Sequence, residues 1–97
     1  MKEPEECLDM QEIRREIDQI DKNIITLLGL RFDYVKAASK FKIDEQAVKA
    51  PERFAAMLAQ RRLWAEENNL SVDVIEKVYR DLVDYFIDQE LKQWEKQ

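Results

Sequence analysis

The sequence predicts an all-α domain of three helices with an unusually long first helix. Three observations carry this expectation. The 97 residues include one glycine and two prolines, which leaves almost no material for hairpins, bulges or tight turns. Leu, Ala, Glu, Lys, Gln and Arg dominate the rest, and these residues lose least on entering a helix. Apolar residues then recur at spacings of three and four, which fixes where each helix runs.

The first helix opens at "LDMQEI". Asp9 is a suitable N-cap, and Glu12 three residues later completes a capping-box pattern. Leu8 and Ile13 stand where a hydrophobic staple would join them. The apolar series Ile13, Ile17, Ile20, Ile24, Leu27, Leu28, Val35 and Ala38 follows, with Gly29 tolerated inside it at some cost in helix stability. "IDEQAVKA" (43–50) breaks the period and reads as a loop. Pro51 suits the first turn of a second helix, which carries Phe54, Met57, Leu58, Trp64 and Ala65. Asn68 and Asn69 are natural left-handed stop residues. Ser71 with Asp73 starts a third helix, whose apolar set is Ile75, Val78, Tyr79, Leu82, Val83, Phe86, Ile87, Leu91 and Trp94.

Length bears on assembly. A helix over residues 10 to 41 spans ~48 Å at ~1.5 Å per residue, whereas a compact chain of this size has a radius of gyration of only ~12–13 Å. The apolar stripe of such a helix needs a second chain laid along it. The expectation is therefore an intertwined homodimer built from one domain over residues 1–97.

Composition excludes several functions. There is no histidine, and Cys7 is the single thiol, so neither an internal disulfide nor a Ser-His or Cys-His catalytic pair can form, and a zinc or transition-metal site is not expected. The formal net charge of -5 argues against nucleic-acid binding, which needs a basic face. "MKEPEECLDM" lacks the apolar run of a signal peptide, and no stretch has the length of a membrane span. The expectation is a soluble, cytoplasmic protein with no membrane partner.

Against this background the stretch "IITLLGLRFDYVKAASKFK" (24–42) is unusual. Ile24, Leu28, Arg31, Val35, Ala38 and Lys42 follow one helical stripe, so two cations stand where a core-facing stripe should be apolar. Arg31 and Lys42 differ in direction by only ~20° and lie ~16 Å apart along the axis, within joint reach of a small dianion. The alternative is snorkelling, with packed stems and solvated heads. Arg14 lies ~25 Å before Arg31 and ~260° round the helix, so it can join the same pocket only from an antiparallel partner helix. Glu90 shares a face with Val83, Ile87 and Trp94. It serves either as a structural ion-pair partner or as a carboxyl of raised pKa that donates a hydrogen bond when protonated. Arg53 and Glu52 stand in the first turn of the second helix, where charge is commonly just solvated. "AQRRLW" and "WAEENN" read as solvated faces, and Trp64 and Trp94 as packing anchors.

"IRREIDQID", "LLGLRFDYVKAASKFK" and "APERFAAML", in that order, resemble the all-α chorismate mutase superfamily over nearly the whole chain. Within it, "RFDYVKAASKFK", "APERFAAML" and "WAEEN" are most similar to the isochorismate-pyruvate lyases of salicylate and siderophore biosynthesis. The resemblance implies an intertwined homodimer with two equivalent sites and no metal or organic cofactor. It implies ligand-holding cations at Arg14 of the partner chain and at Arg31, Lys42 and Arg53 of the main chain. Ile87 matches a pocket-lining position, with Val35, Ala38 and Met57 as further apolar wall. Residues 43–50 match a mobile segment that closes over the substrate. One position departs: these lyases carry glutamine where this chain has Glu90, and the glutamine here is Gln89, about 100° round the helix. Some fungal mutases share the glutamate.

The implied chemistry suits a site made of cations. The substrates are small dianions, isochorismate or chorismate, and the reactions are pericyclic: ether cleavage to salicylate and pyruvate, or rearrangement to prephenate. Neither needs a general base. The site must hold a flexible dianion in its reactive shape and stabilise charge that builds on the ether oxygen. Arg14 and Arg31 clamp carboxylates in this reading. Lys42, with protonated Glu90, meets the ether oxygen. The expectations open at this stage are the lyase first, then a chorismate mutase, then a non-catalytic helical dimer.

Overall fold

The computed structural model describes residues 2–96, and every regular element among them is helical. A 3-10 turn at Pro4–Glu6 precedes α1 (Met10–Ala38), and a second one, Ser39–Phe41, follows it directly. Next come α2 (Glu45–Lys49), α3 (Pro51–Glu67) and α4 (Val72–Glu95). The chain forms two compact units, one reaching to Tyr34 and the other beginning at Val35.

In the first unit, α1 is capped as its sequence dictates: the Glu12 backbone N–H donates to Asp9 Oδ1 at 2.9 Å. The return arm of the box is displaced by one residue, because the Glu12 carboxylate accepts from the backbone N–H of Leu8, at 2.7 Å, instead of from Asp9. Lys2 also reaches Glu12, at 2.9 Å. The Leu8 N–H, and after it Lys2, hold this carboxyl below the ordinary glutamate range. The staple is not made: Leu8 is 85% exposed. Pro4 and Cys7 instead share a shallow hollow with Ile13, Ile17 and Ile20. No residue of α1 is buried, and Ile17, Ile24 and Leu27 are 50%, 48% and 62% exposed.

The second unit holds the core. Val48, Met57, Leu58, Ala65 and Phe86 are its buried apolar side chains, contributed by α2, α3 and α4. Helices α3 and α4 pack against each other. Their connection is a Schellman turn: Leu70 N–H donates to Ala65 O and Asn69 N–H to Glu66 O, with Asn69 in the left-handed region at φ 59°. Ser71 then caps α4, accepting from the Val74 N–H. Arg62 bridges the pair through Glu76 at 2.8 Å and Asp73 at 3.4 Å. No described helix is long and apolar enough to cross a membrane.

The structure corrects one expectation. Residues 43–50 are not simply a loop, since α2 lies within them. Asp44 caps this helix by accepting from the Ala47 N–H at 2.7 Å, and buried Val48 anchors it. Ala50 ends it in the left-handed conformation, φ 39° and ψ 61°, which lets Pro51 begin α3 directly. Ile43 and Val48, the two large apolar residues of this stretch, stand five apart, which fits neither a helical nor a strand period and leaves the helix without a signal in sequence.

Candidate active site

The turn between α1 and α2 places Lys42 beside α4. Its backbone N–H donates to Ser39 O at 3.2 Å. Its carbonyl accepts from the Trp94 indole N–H at 3.1 Å. The side chain runs inward, three-quarters buried, and its ammonium donates to Ala47 O at 3.1 Å. Lys42 Nζ also lies 3.8 Å from Glu90 Oε2, too long for a hydrogen bond but close enough for strong attraction.

Glu90 is 4% exposed, and its Oε2 has no hydrogen-bond partner among the described residues. A carboxylate withdrawn from water without donors is costly. Burial therefore pushes the Glu90 pKa up, and Lys42 pulls it only part of the way back. The carboxyl keeps its proton to higher pH than an ordinary glutamate. Gln89, by contrast, is only half-buried, so the buried group on this face is the acid and not the amide. When Glu90 carries its proton, the buried carboxyl and the Lys42 ammonium beside it are two neighbouring donors, a pairing able to meet an oxygen that gains negative charge.

The other expected site residues are distributed unevenly. Val35 and Ala38 are half-buried on the last turns of α1, and Ile87 is half-buried one turn before Glu90. Met57 belongs to the core, at 4% exposure. Arg53 is exposed at the start of α3 and lines a shallow hollow with Gln46, Ala50, Pro51 and Glu52. Arg14, exposed, and Arg31, half-buried, belong to the first unit. Lys42 and Glu90 are the two brought together within the second unit.

Two groups stand behind this pair, Ser39 with no signal in the sequence and Trp94 with a partial one. Ser39 is 1% exposed and donates through its hydroxyl to Lys36 O at 2.7 Å, which tightens the turn that leads to Lys42. Trp94, read as a packing anchor, also makes the hydrogen bond to Lys42. The available signal was its position one turn after Glu90 on the same face.

The family model described as chorismate mutase type II matches residues 13–91. An isochorismate pyruvate lyase of Pseudomonas aeruginosa is 48% identical over 94 residues, which is 97% of this chain and 93% of that protein. A T-protein of Haemophilus influenzae is 40% identical over 72 residues, covering 73% of this chain but 19% of its own length. A T-protein of Enterobacter agglomerans is 36% identical over 73 residues, 74% of this chain and 20% of that protein.

Proposed function

Since the chain belongs to the chorismate mutase type II family, we propose that it is an isochorismate pyruvate lyase, which converts isochorismate to salicylate and pyruvate. The observation that carries this reading is the likeness, over 97% of this chain, to a protein that bears that name. The site chemistry agrees with it. Isochorismate divides into salicylate and pyruvate with no atom gained or lost: the bond from the ring to the ether oxygen breaks, and the hydrogen on the neighbouring, hydroxyl-bearing ring carbon moves to the enolpyruvyl methylene, which leaves an aromatic ring and the pyruvate ketone. Such a reaction needs neither an external acid nor a base. It needs the substrate held in the reactive shape and a donor where the ether oxygen becomes negative.

In this reading the Lys42 ammonium and the protonated Glu90 carboxyl face the ether oxygen. Lys42 leaves Ala47 O, its partner in the unliganded chain, for the substrate. Arg31 holds one substrate carboxylate, Arg53 assists from the start of α3, and Val35, Ala38, Met57 and Ile87 provide the apolar wall. Rearrangement of chorismate to prephenate is the second reading, favoured by the description of the family itself. Purified protein incubated separately with isochorismate and chorismate, followed by product chromatography, separates the two. Salicylate and pyruvate in equal amounts are expected from isochorismate. Prephenate as the main product would replace the lyase by the mutase, and no product from either substrate would leave a binding module.

The reading includes a second copy of the chain. A helix of 29 residues with none buried leaves an apolar stripe that a partner helix would cover, and Arg14 of that partner would reach the second substrate carboxylate. Sedimentation at micromolar concentration should give a dimer. Ile20→Glu should dissociate it, although the same change on a solvent-facing stripe would be nearly neutral. A folded wild-type monomer would remove both the dimer and the role of Arg14.

A further inference from the structure

The ammonium of Lys42 can be no better placed than the backbone that carries it. That backbone is extended, at φ -92° and ψ 133°, and lies between a 3-10 turn and α2. A residue in such a connection has no helical ladder to fix it. Two hydrogen bonds take its place: the N–H is held by Ser39 O at 3.2 Å, and the carbonyl by the Trp94 indole at 3.1 Å. The first is local to the turn. The second crosses 52 positions of sequence and ties the Lys42 peptide to α4. Trp94 and Glu90 lie one turn apart on the same face of α4, so one short stretch of helix carries both the acid and the clamp. Trp94 also lies beyond residues 13–91, the part that the family model covers.

We propose that Trp94 is a positioning residue for the reaction: its indole N–H fixes the peptide of Lys42 and so holds the ammonium against Glu90 and the substrate's ether oxygen. The inference rests on the lyase reading given above. It differs from a packing role in what it requires, because packing needs the ring while positioning needs the N–H. Trp94 itself touches no reacting atom.

The charge environment gives a readout that packing alone would not move. Lys42 faces Glu90 from the α1–α2 connection and draws its pKa down against the effect of burial. Lys42 is the charge that acts on the Glu90 pKa, while Lys40 and Asp44 beside it in sequence and Glu52 of α3 are exposed. Glu45 and Lys49 of α2 pair with each other at 3.0 Å, and Asp88 and Lys92 of α4 at 3.3 Å, all well exposed; Arg53 is exposed at the start of α3. If the ammonium drifts when the indole N–H is lost, Glu90 keeps its proton to higher pH, and the fall of activity with pH moves up.

The test is Trp94→Phe in the full-length chain, beside a second variant that carries benzothienylalanine at position 94, which keeps the ring shape and replaces the N–H by sulfur. Turnover of isochorismate is followed across pH, with thermal unfolding measured in parallel. Both variants should lose about three- to tenfold in kcat, the effect of one ordinary hydrogen bond. KM should change little, and the alkaline fall in kcat/KM should shift upward relative to wild type. An unshifted fall in the benzothienylalanine variant overturns the proposal, whatever happens to the melting temperature, and leaves Trp94 a packing residue. Inactive wild-type protein would instead overturn the lyase reading, so the two failures are distinguishable.

Discussion

Lys42→Ala should lower kcat on the order of 10²–10³-fold while the melting temperature moves by only a few degrees. The asymmetry follows from what each state asks of the ammonium. In the folded chain the Lys42 ammonium makes a hydrogen bond to Ala47 O and a 3.8 Å approach to Glu90. Losing both costs little, because the Glu90 carboxyl, its pKa already raised by burial, can relax by taking up a proton. In the proposed site the ether oxygen gains negative charge beside Lys42 in the transition state, and a fixed, largely buried cation there is worth more than one in solution. The loss should therefore fall on kcat and leave KM much less affected. Arg31→Ala should differ, raising KM as well, since a substrate carboxylate is charged in ground and transition states alike. Steady-state kinetics with a thermal melt decide the matter. A Lys42→Ala enzyme with near-normal turnover would make Lys42 a structural cation and move the site elsewhere.

The second large effect is a pH dependence that one amide should abolish. In the proposed site Glu90 donates a hydrogen bond only when protonated; as a carboxylate it would repel the charge that develops on the ether oxygen. Burial raises its pKa and Lys42 offsets this in part, so activity should fall as pH rises through that raised value. Stability should follow the same sign. The folded chain holds the Glu90 proton more tightly than the unfolded chain, so this group's contribution is full below the ordinary glutamate pKa. It is lost as pH climbs from there to the raised folded value. Glu90→Gln supplies a neutral donor of nearly equal shape, and should flatten both dependences and raise activity at neutral pH. Glu90→Ala should be poor at every pH, with neither donor nor repulsion. The check is a kcat/KM profile and a denaturation series from acid to mildly alkaline pH. Wild-type and Glu90→Gln curves that superimpose would mean that Glu90 faces away from the chemistry.

Much of this architecture is legible in the residues, and the reasons are local. Asp9, Asn69, Pro51 and Ser71 act through their own backbone neighbourhoods, so the helix ends they mark are found where they stand. Glu90 was visible because a carboxyl among Val83, Ile87 and Trp94 breaks an apolar face, and its burial is the physical form of that oddity. The contacts that hold Lys42 were not visible. Ala47 O and the Trp94 indole meet it through chain folding, and a carbonyl oxygen carries no signature in sequence. α2 escaped notice for a related reason: five residues are too few to establish a period, and its stability comes from Asp44 and from the burial of Val48. Leu8 shows the converse, a staple position correct in spacing that stays in water, while Pro4 and Cys7 share the hollow with Ile13.

The central claim is that this chain cleaves isochorismate by holding it, with the migrating hydrogen passed directly from ring to side chain and never released to a base. The direct measurement is turnover in deuterium oxide with mass analysis of both products. The account predicts salicylate and pyruvate in equal amounts, with a pyruvate methyl group that contains no deuterium from the solvent. Solvent deuterium in that methyl group, or a product other than salicylate and pyruvate, would contradict it.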